Sequence, residues 1–120
     1  MDLSILIPAR NEMFLKNTIE DALKQSRANI EIIAVLDGEW AKPEISQHPQ
    51  VNVFHTGSVV GMRAATNYAA RLATGHYLMK VDAHCAFDEG FDKKMLEFHA
   101  KVGDNVTSVP IMRNLWAFDW

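Results

Sequence analysis

The chain has one cysteine, Cys85, in 120 residues, so an internal disulfide is impossible. That fits a reducing compartment. No apolar run approaches the roughly 20 residues that a membrane-spanning helix needs. Basic charge is not in excess: 12 Lys and Arg stand against 15 Asp and Glu, for a net charge of −3. Nucleic acid usually calls for a basic patch, and none is indicated. Six glycines and four prolines are scattered, with no internal repeat and no low-complexity segment. The glycine-rich dinucleotide loop and the lysine of a P-loop are both missing. Met1-Asp2 leads straight into a strand pattern, without a basic start or a cleavage site. No secretory leader is therefore expected, and a cytoplasmic location is.

What is present is ordinary for one soluble domain: 48% hydrophobic and 22% charged residues. Residues 3–8 and 30–36 are apolar and β-branched, and read as buried strands. Residues 51–55, 76–81 and 106–112 read as three more. Leu15, Ile19, Ala22 and Leu23 recur at helical spacing within residues 14–26. Asn11 or Glu12 is placed to serve the start of that helix. Residues 62–73 form a second helix, stopped by Thr74-Gly75, and residues 91–102 a third. Residues 39–50 read as a loop with at most one helical turn. The order β-α-β-β-α-β-α-β predicts a Rossmann-like α/β fold: a mostly parallel sheet with helices on both faces.

In such a sheet the segments that follow the strands share one edge, where ligands bind. Ala9-Arg10-Asn11-Glu12 follows the first strand, Asp37-Gly38 the second, and Asp82-Ala83-His84 the fourth. Taken singly, these are a helix cap, a turn and a capped strand end. Their coincidence at three strand ends favours a site. A carboxylate and an imidazole two residues apart on a strand point to the same face. Asp82 and His84 therefore suit manganese, magnesium or zinc. Two protein ligands leave positions for the oxygens of a diphosphate, whose charge the ion would neutralise. Asp37 is placed to accept hydrogen bonds from a base edge or a ribose. Residues 57–61 put small side chains before a helix N-terminus, which favours anions. Arg10 and Arg63 are either phosphate or carboxylate contacts or solvated surface arginines.

With these residues placed, the chain resembles the donor-binding half of nucleotide-sugar glycosyltransferases with the GT-A fold, from Leu3 to about Leu96. Ser4-Ile5-Leu6-Ile7-Pro8-Ala9-Arg10-Asn11-Glu12 is similar to that group's opening strand and Asn-Glu turn. Ile32-Ile33-Ala34-Val35-Leu36-Asp37-Gly38 resembles its second strand. The layout is similar to glycosyltransferase family 2. Residues 73–85 are most similar to polypeptide N-acetylgalactosaminyltransferases, whose metal motif is also Asp-x-His. The resemblance implies that Pro8, Ala9, Arg10 and Glu12 lie against the nucleoside and that Asp37 contacts the base. Gly61 would let a helix start approach the donor. Asp82 and His84 would hold manganese, with magnesium the alternative, on the diphosphate of a nucleotide diphosphate sugar, a UDP-sugar above all. Arg63 lies one turn before the family's usual arginine, where Thr66 precedes Asn67.

The expected function is metal-dependent transfer of a sugar from that donor to an acceptor. A non-catalytic nucleotide-sugar-binding module is the alternative, and a metallophosphoesterase, which also uses Asp-x-His, the third reading. Residues 1–112 would form the donor domain. The aromatic tail 113–120 would begin an acceptor half or pack on a partner, a second copy included. The catalytic base and third metal ligand fall outside the matched half. Glu89 and Asp92 read as first-turn acids of the third helix.

Overall fold

Two apolar runs form the centre of the sheet, β1 (Leu3–Ala9) and β2 (Ile30–Leu36), and every residue of both is buried. The computed structural model describes residues 1–110. The other elements are α1 (Leu15–Gln25), β3 (Val51–His55), α2 (Met62–Leu72), β4 (Tyr77–Lys80) and α3 (Phe91–Val102). The four strands run in the order β3-β2-β1-β4, and all three pairings are parallel. Leu3 lies opposite Ile30 on one side and Tyr77 on the other. Such pairing needs crossovers: α1 makes the one from β1 to β2, the helix-free segment 37–50 makes the one from β2 to β3, and α2 lies on the path from β3 to β4.

Alternation along the strands divides the core in two. Leu3, Ile5, Ile7 and Ala9 join Ile30, Ile32, Ala34 and Leu36 on the face covered by α1, with Phe87 and Phe91. Leu6, Ile33 and Val35 turn to the other face and meet Ala65 and Ala69 of α2. Helices on both faces are thus observed, α3 joining the α1 side through Phe91. Asp92 closes that side: its carboxylate accepts from Ser26 Oγ and from the amides of Arg27, Ala28 and Lys93. It is more than a first-turn acid, because it ties α3 to the connection between α1 and β2.

Three expectations need correction. Residues 106–110 form no strand, and 111–112 lie outside the described residues. Val106 is 46% and Val109 80% exposed, and Pro110 has no amide for a ladder. The run is apolar but finds no strand to pair with among the described residues. Next, β4 is not a buried strand: it pairs with β1 at the end of the sheet, and Leu78 is 54% exposed. Finally, β4 stops at Lys80, so Asp82 and His84 stand in the loop beyond it. The segment 39–50 contains no helix. The tail 113–120, and any self-association through it, lies outside the described residues.

At the opposite end of the sheet a buried carboxylate fastens α2 to both central strands. Glu31 accepts from Ser4 Oγ at 2.5 Å, Thr74 N at 2.7 Å and Thr74 Oγ1 at 2.8 Å. Ser4 Oγ accepts in turn from Gly75 N at 2.8 Å. A side chain at Gly75 would stand 2.6 Å from Ser4 N, so glycine is required for this close approach. Burial raises the Glu31 carboxyl, but the hydrogen bonds from Ser4, Thr74 and Gly75 outweigh it and hold it below its ordinary value. Its contribution to stability is complete above the usual glutamate pKa of about 4.3 and is lost as pH falls through the lower folded value. Glu31→Ala, which leaves buried donors unpaired, is expected to cost roughly 3 kcal/mol at neutral pH. Denaturant titration should show the gap between the two proteins closing as the pH is lowered below 4.3 or so.

Candidate nucleotide-binding rim

Parallel strands deliver their C-terminal loops to one edge of the sheet. Residues 10–14 follow β1, 37–40 follow β2, 56–61 follow β3 and 81–84 follow β4. The three polar clusters read from the sequence therefore share a rim. They form two groups, one at the ends of β2 and β3 and one at the ends of β1 and β4.

One group is built around Asp37, which is 3% exposed. Its Oδ1 accepts from Val60 N at 2.7 Å and its Oδ2 from Gly61 N at 3.0 Å. Its own amide donates to Ala9 O at 2.7 Å. Asp37 thus sews the ends of β1 and β2 to the loop entering α2. Gly61 has φ +91°, a conformation that glycine adopts without strain. Arg63 in the first turn of α2 is exposed.

The other group spans the loops after β1 and β4. His84 Nδ1 lies 3.1 Å from Glu12 Oε2, and His84 Nε2 lies 4.0 Å from Asp82 Oδ2. Lys80 Nζ donates to Asp82 Oδ1 at 2.5 Å. That bond lowers the Asp82 carboxyl below its ordinary value against partial burial. Arg10 is exposed on the intervening loop, while Pro8 and Ala9 are buried within β1. Among the described residues neither arginine has a charged partner.

The loop carrying Asp82 and His84 is held from beneath by a residue that the sequence reading passed over. Thr18 of α1 is fully buried. Its Oγ1 lies 2.9 Å from Ala83 O and accepts from Cys85 N at 3.0 Å. Val81 N donates to Leu6 O at 3.0 Å, and Phe87 N to Asp21 Oδ2 at 2.6 Å. Thr18 falls on the same helical face as Leu15, Ile19 and Ala22; a hydroxyl amid that apolar stripe was the available signal. Burial raises the Cys85 thiol above its ordinary value, which disfavours the thiolate.

Trp40 was also missed. It is 70% exposed and stacks on His55 with centroids 4.1 Å apart, at the β3 end of the rim. A groove of about 960 Å³ starts there and runs below the rim between residues 40–49 and β3. It contains none of Glu12, Asp37, Asp82 or His84. It is the space left where an irregular loop stands off an end strand. The interacting charged groups place the candidate site on the rim instead.

Asp82 and His84 supply an oxygen and a nitrogen donor facing each other across a gap too long for a hydrogen bond. That pair fits a divalent cation as two ligands. No group of three suitable donors is assembled among the described residues, so the other positions would fall to substrate oxygens or water.

The sequence pattern of glycosyl transferase family 2 matches residues 4–119. Comparison with solved structures finds the crystal structure of S. aureus TarS 1-349, with a TM-score of 0.72 and 17% identity over 92% of this chain. The crystal structure of S. aureus TarS gives a TM-score of 0.70, again with 17% identity over 92% of this chain. The present chain spans 39% and 23% of those two chains. At such identity the likeness is one of fold. No curated protein sequence matches.

Thr18→Val removes the hydroxyl at nearly constant volume and strands Ala83 O and Cys85 N. A loss of about 2 kcal/mol is expected from denaturant unfolding. Amide hydrogen exchange should quicken at Cys85 more than in β1 or β2, because the loop is freed before the sheet.

Proposed function

The chain belongs to glycosyl transferase family 2, and from that premise we propose that its rim binds a nucleotide diphosphate sugar for transfer of the sugar to an acceptor. A UDP-sugar is the donor proposed. The observation that carries the reading is the meeting of Glu12, Asp82 and His84 from two distant loops, on the edge that also holds the Asp37–Gly61 turn. Transfer is favoured over phosphoester hydrolysis because the family match runs through all of these residues.

Asp82 and His84 would hold the divalent cation, manganese before magnesium, which when bound neutralises charge on the diphosphate. The remaining work falls to the chain's own groups. Arg10, on the loop after β1, and Arg63, in the first turn of α2, are exposed cations and suit phosphate oxygens. The start of α2 presents amides and the positive end of a helix dipole toward the same rim. Pro8 and Ala9 are covered within β1, so their part is to place Arg10. Asp37 gives both oxygens to the amides of Val60 and Gly61, and it serves the nucleoside by fixing the surface on which the base would rest. No helix among the described residues is long and apolar enough to cross a membrane.

Calorimetric titration of UDP and UDP-sugars, with and without manganese, tests the reading. Asp82→Ala should abolish the manganese-dependent part of binding, and an unchanged affinity would overturn the metal assignment. Asp37→Ala should weaken binding equally in both conditions, because it loosens the nucleoside surface and leaves the cation ligands alone. Loss confined to the manganese arm would contradict that role.

A further inference from the structure

We infer that Glu12 is the positioning residue of this rim: it fixes the tautomer and ring orientation of His84, so that Nε2 is the nitrogen offered toward Asp82. The inference rests on the metal reading above but is argued from contacts present without a metal.

A carboxylate can only accept, so a hydrogen bond from His84 Nδ1 to Glu12 Oε2 at 3.1 Å makes Nδ1 the protonated nitrogen. A neutral imidazole then carries its lone pair on Nε2. That atom is the one 4.0 Å from Asp82 Oδ2. The second Asp82 oxygen is occupied by Lys80 at 2.5 Å, which leaves Oδ2 to face the ring. Glu12 sits on the opposite ring nitrogen from Asp82 and so supports the donor pair without joining it. A carboxylate behind a ligating histidine is a general way to set tautomer and raise ligand basicity.

The support is itself held. Glu12 Oε1 accepts from Phe14 N at 3.2 Å at the entrance to α1. Asn11 adopts φ +53°, a left-handed turn that asparagine tolerates and that redirects the chain between β1 and Glu12. The Glu12 side chain is 24% exposed, against 53% for His84 and 40% for Asp82. The supporting group is more sheltered than the two it supports. Thr18 fixes the His84 backbone from its two flanks, Ala83 O and Cys85 N, and Glu12 fixes the remaining freedom, rotation of the ring.

The test uses the 120-residue chain without metal, then with manganese. Nitrogen-15 spectra of neutral His84 should show the Nδ1–H tautomer in the parent protein. Glu12→Ala should convert it mainly to Nε2–H and weaken manganese binding about 10- to 100-fold. Glu12→Gln keeps an acceptor oxygen and should restore most of both properties. The Phe14 amide exchange rate and far-ultraviolet dichroism report whether α1 still starts normally in each variant. An Nε2–H tautomer in the parent, or a tautomer unmoved by Glu12→Ala, overturns the inference. So does a tautomer that moves while manganese affinity stays the same. If the parent binds no manganese at all, the metal reading falls, while the tautomer comparison still decides whether Glu12 orients His84.

Discussion

Parallel pairing of β1 with both β2 and β4 is the constraint on which the rest depends. Parallel strands all point one way, so each must be followed by a return path, and every loop that leaves a strand's C-terminal end lands on the same side. β1 is hydrogen-bonded on both edges and buried on both faces. Its position between β2 and β4 decides which loops become neighbours. Glu12 meets His84 because β1 adjoins β4, and Asp37 reaches Ala9 because β1 adjoins β2. The chemistry of the rim follows from strand order, although its residues are spread across more than seventy positions.

Strand order alone brings loops close without holding them still. The rim adds a second layer in which side-chain oxygens take up backbone amides that the loops leave unpaired. Asp37 takes those of Val60 and Gly61, Thr18 that of Cys85, Glu12 that of Phe14 and Asp21 that of Phe87. Each bond joins segments whose positions would otherwise be loosely set. A buried amide without a partner costs about 1–3 kcal/mol, so these bonds are hard to exchange for disorder. At the far end of the sheet Glu31 does the same for Thr74. The sheet is thus fastened at both ends by acidic side chains, while its middle is purely apolar.

This division explains what could be read from the chain in advance. β1 and β2 are legible because residues buried on both faces must be apolar throughout, and β2 and α3 match their expected limits residue for residue. α1 and α2 are legible because one-sided burial imposes a helical period. β4 misled because an apolar run does not reveal whether its strand lies inside the sheet or at its end. The run at 106–110 misled for a related reason: strand propensity is realised only against a partner. The rim was legible as a set of loops, since the strand ends were placed to within one residue. The uses of its residues were not. Nothing in Asp37-Gly38 says that both oxygens turn toward residues 60 and 61, and nothing in Thr18 says that it will meet residue 83. Those facts depend on contacts across 23 and 65 positions.

The charges of the rim carry the argument one step further. Asp82 shares its charge with Lys80, Glu12 engages His84, and Asp37 is spent on amides. Each acidic group is thus answered inside the protein, while Arg10 and Arg63 remain exposed without charged partners among the described residues. Counted with Lys80 the rim's charges balance, with Glu12, Asp37 and Asp82 against Lys80, Arg10 and Arg63, so that what is left over is two exposed guanidinium groups beside acids that are already engaged. A neutral sugar alone would give two exposed arginines no partner on this rim. A phosphate-bearing ligand would, because its oxygens can satisfy guanidinium groups and helix amides together.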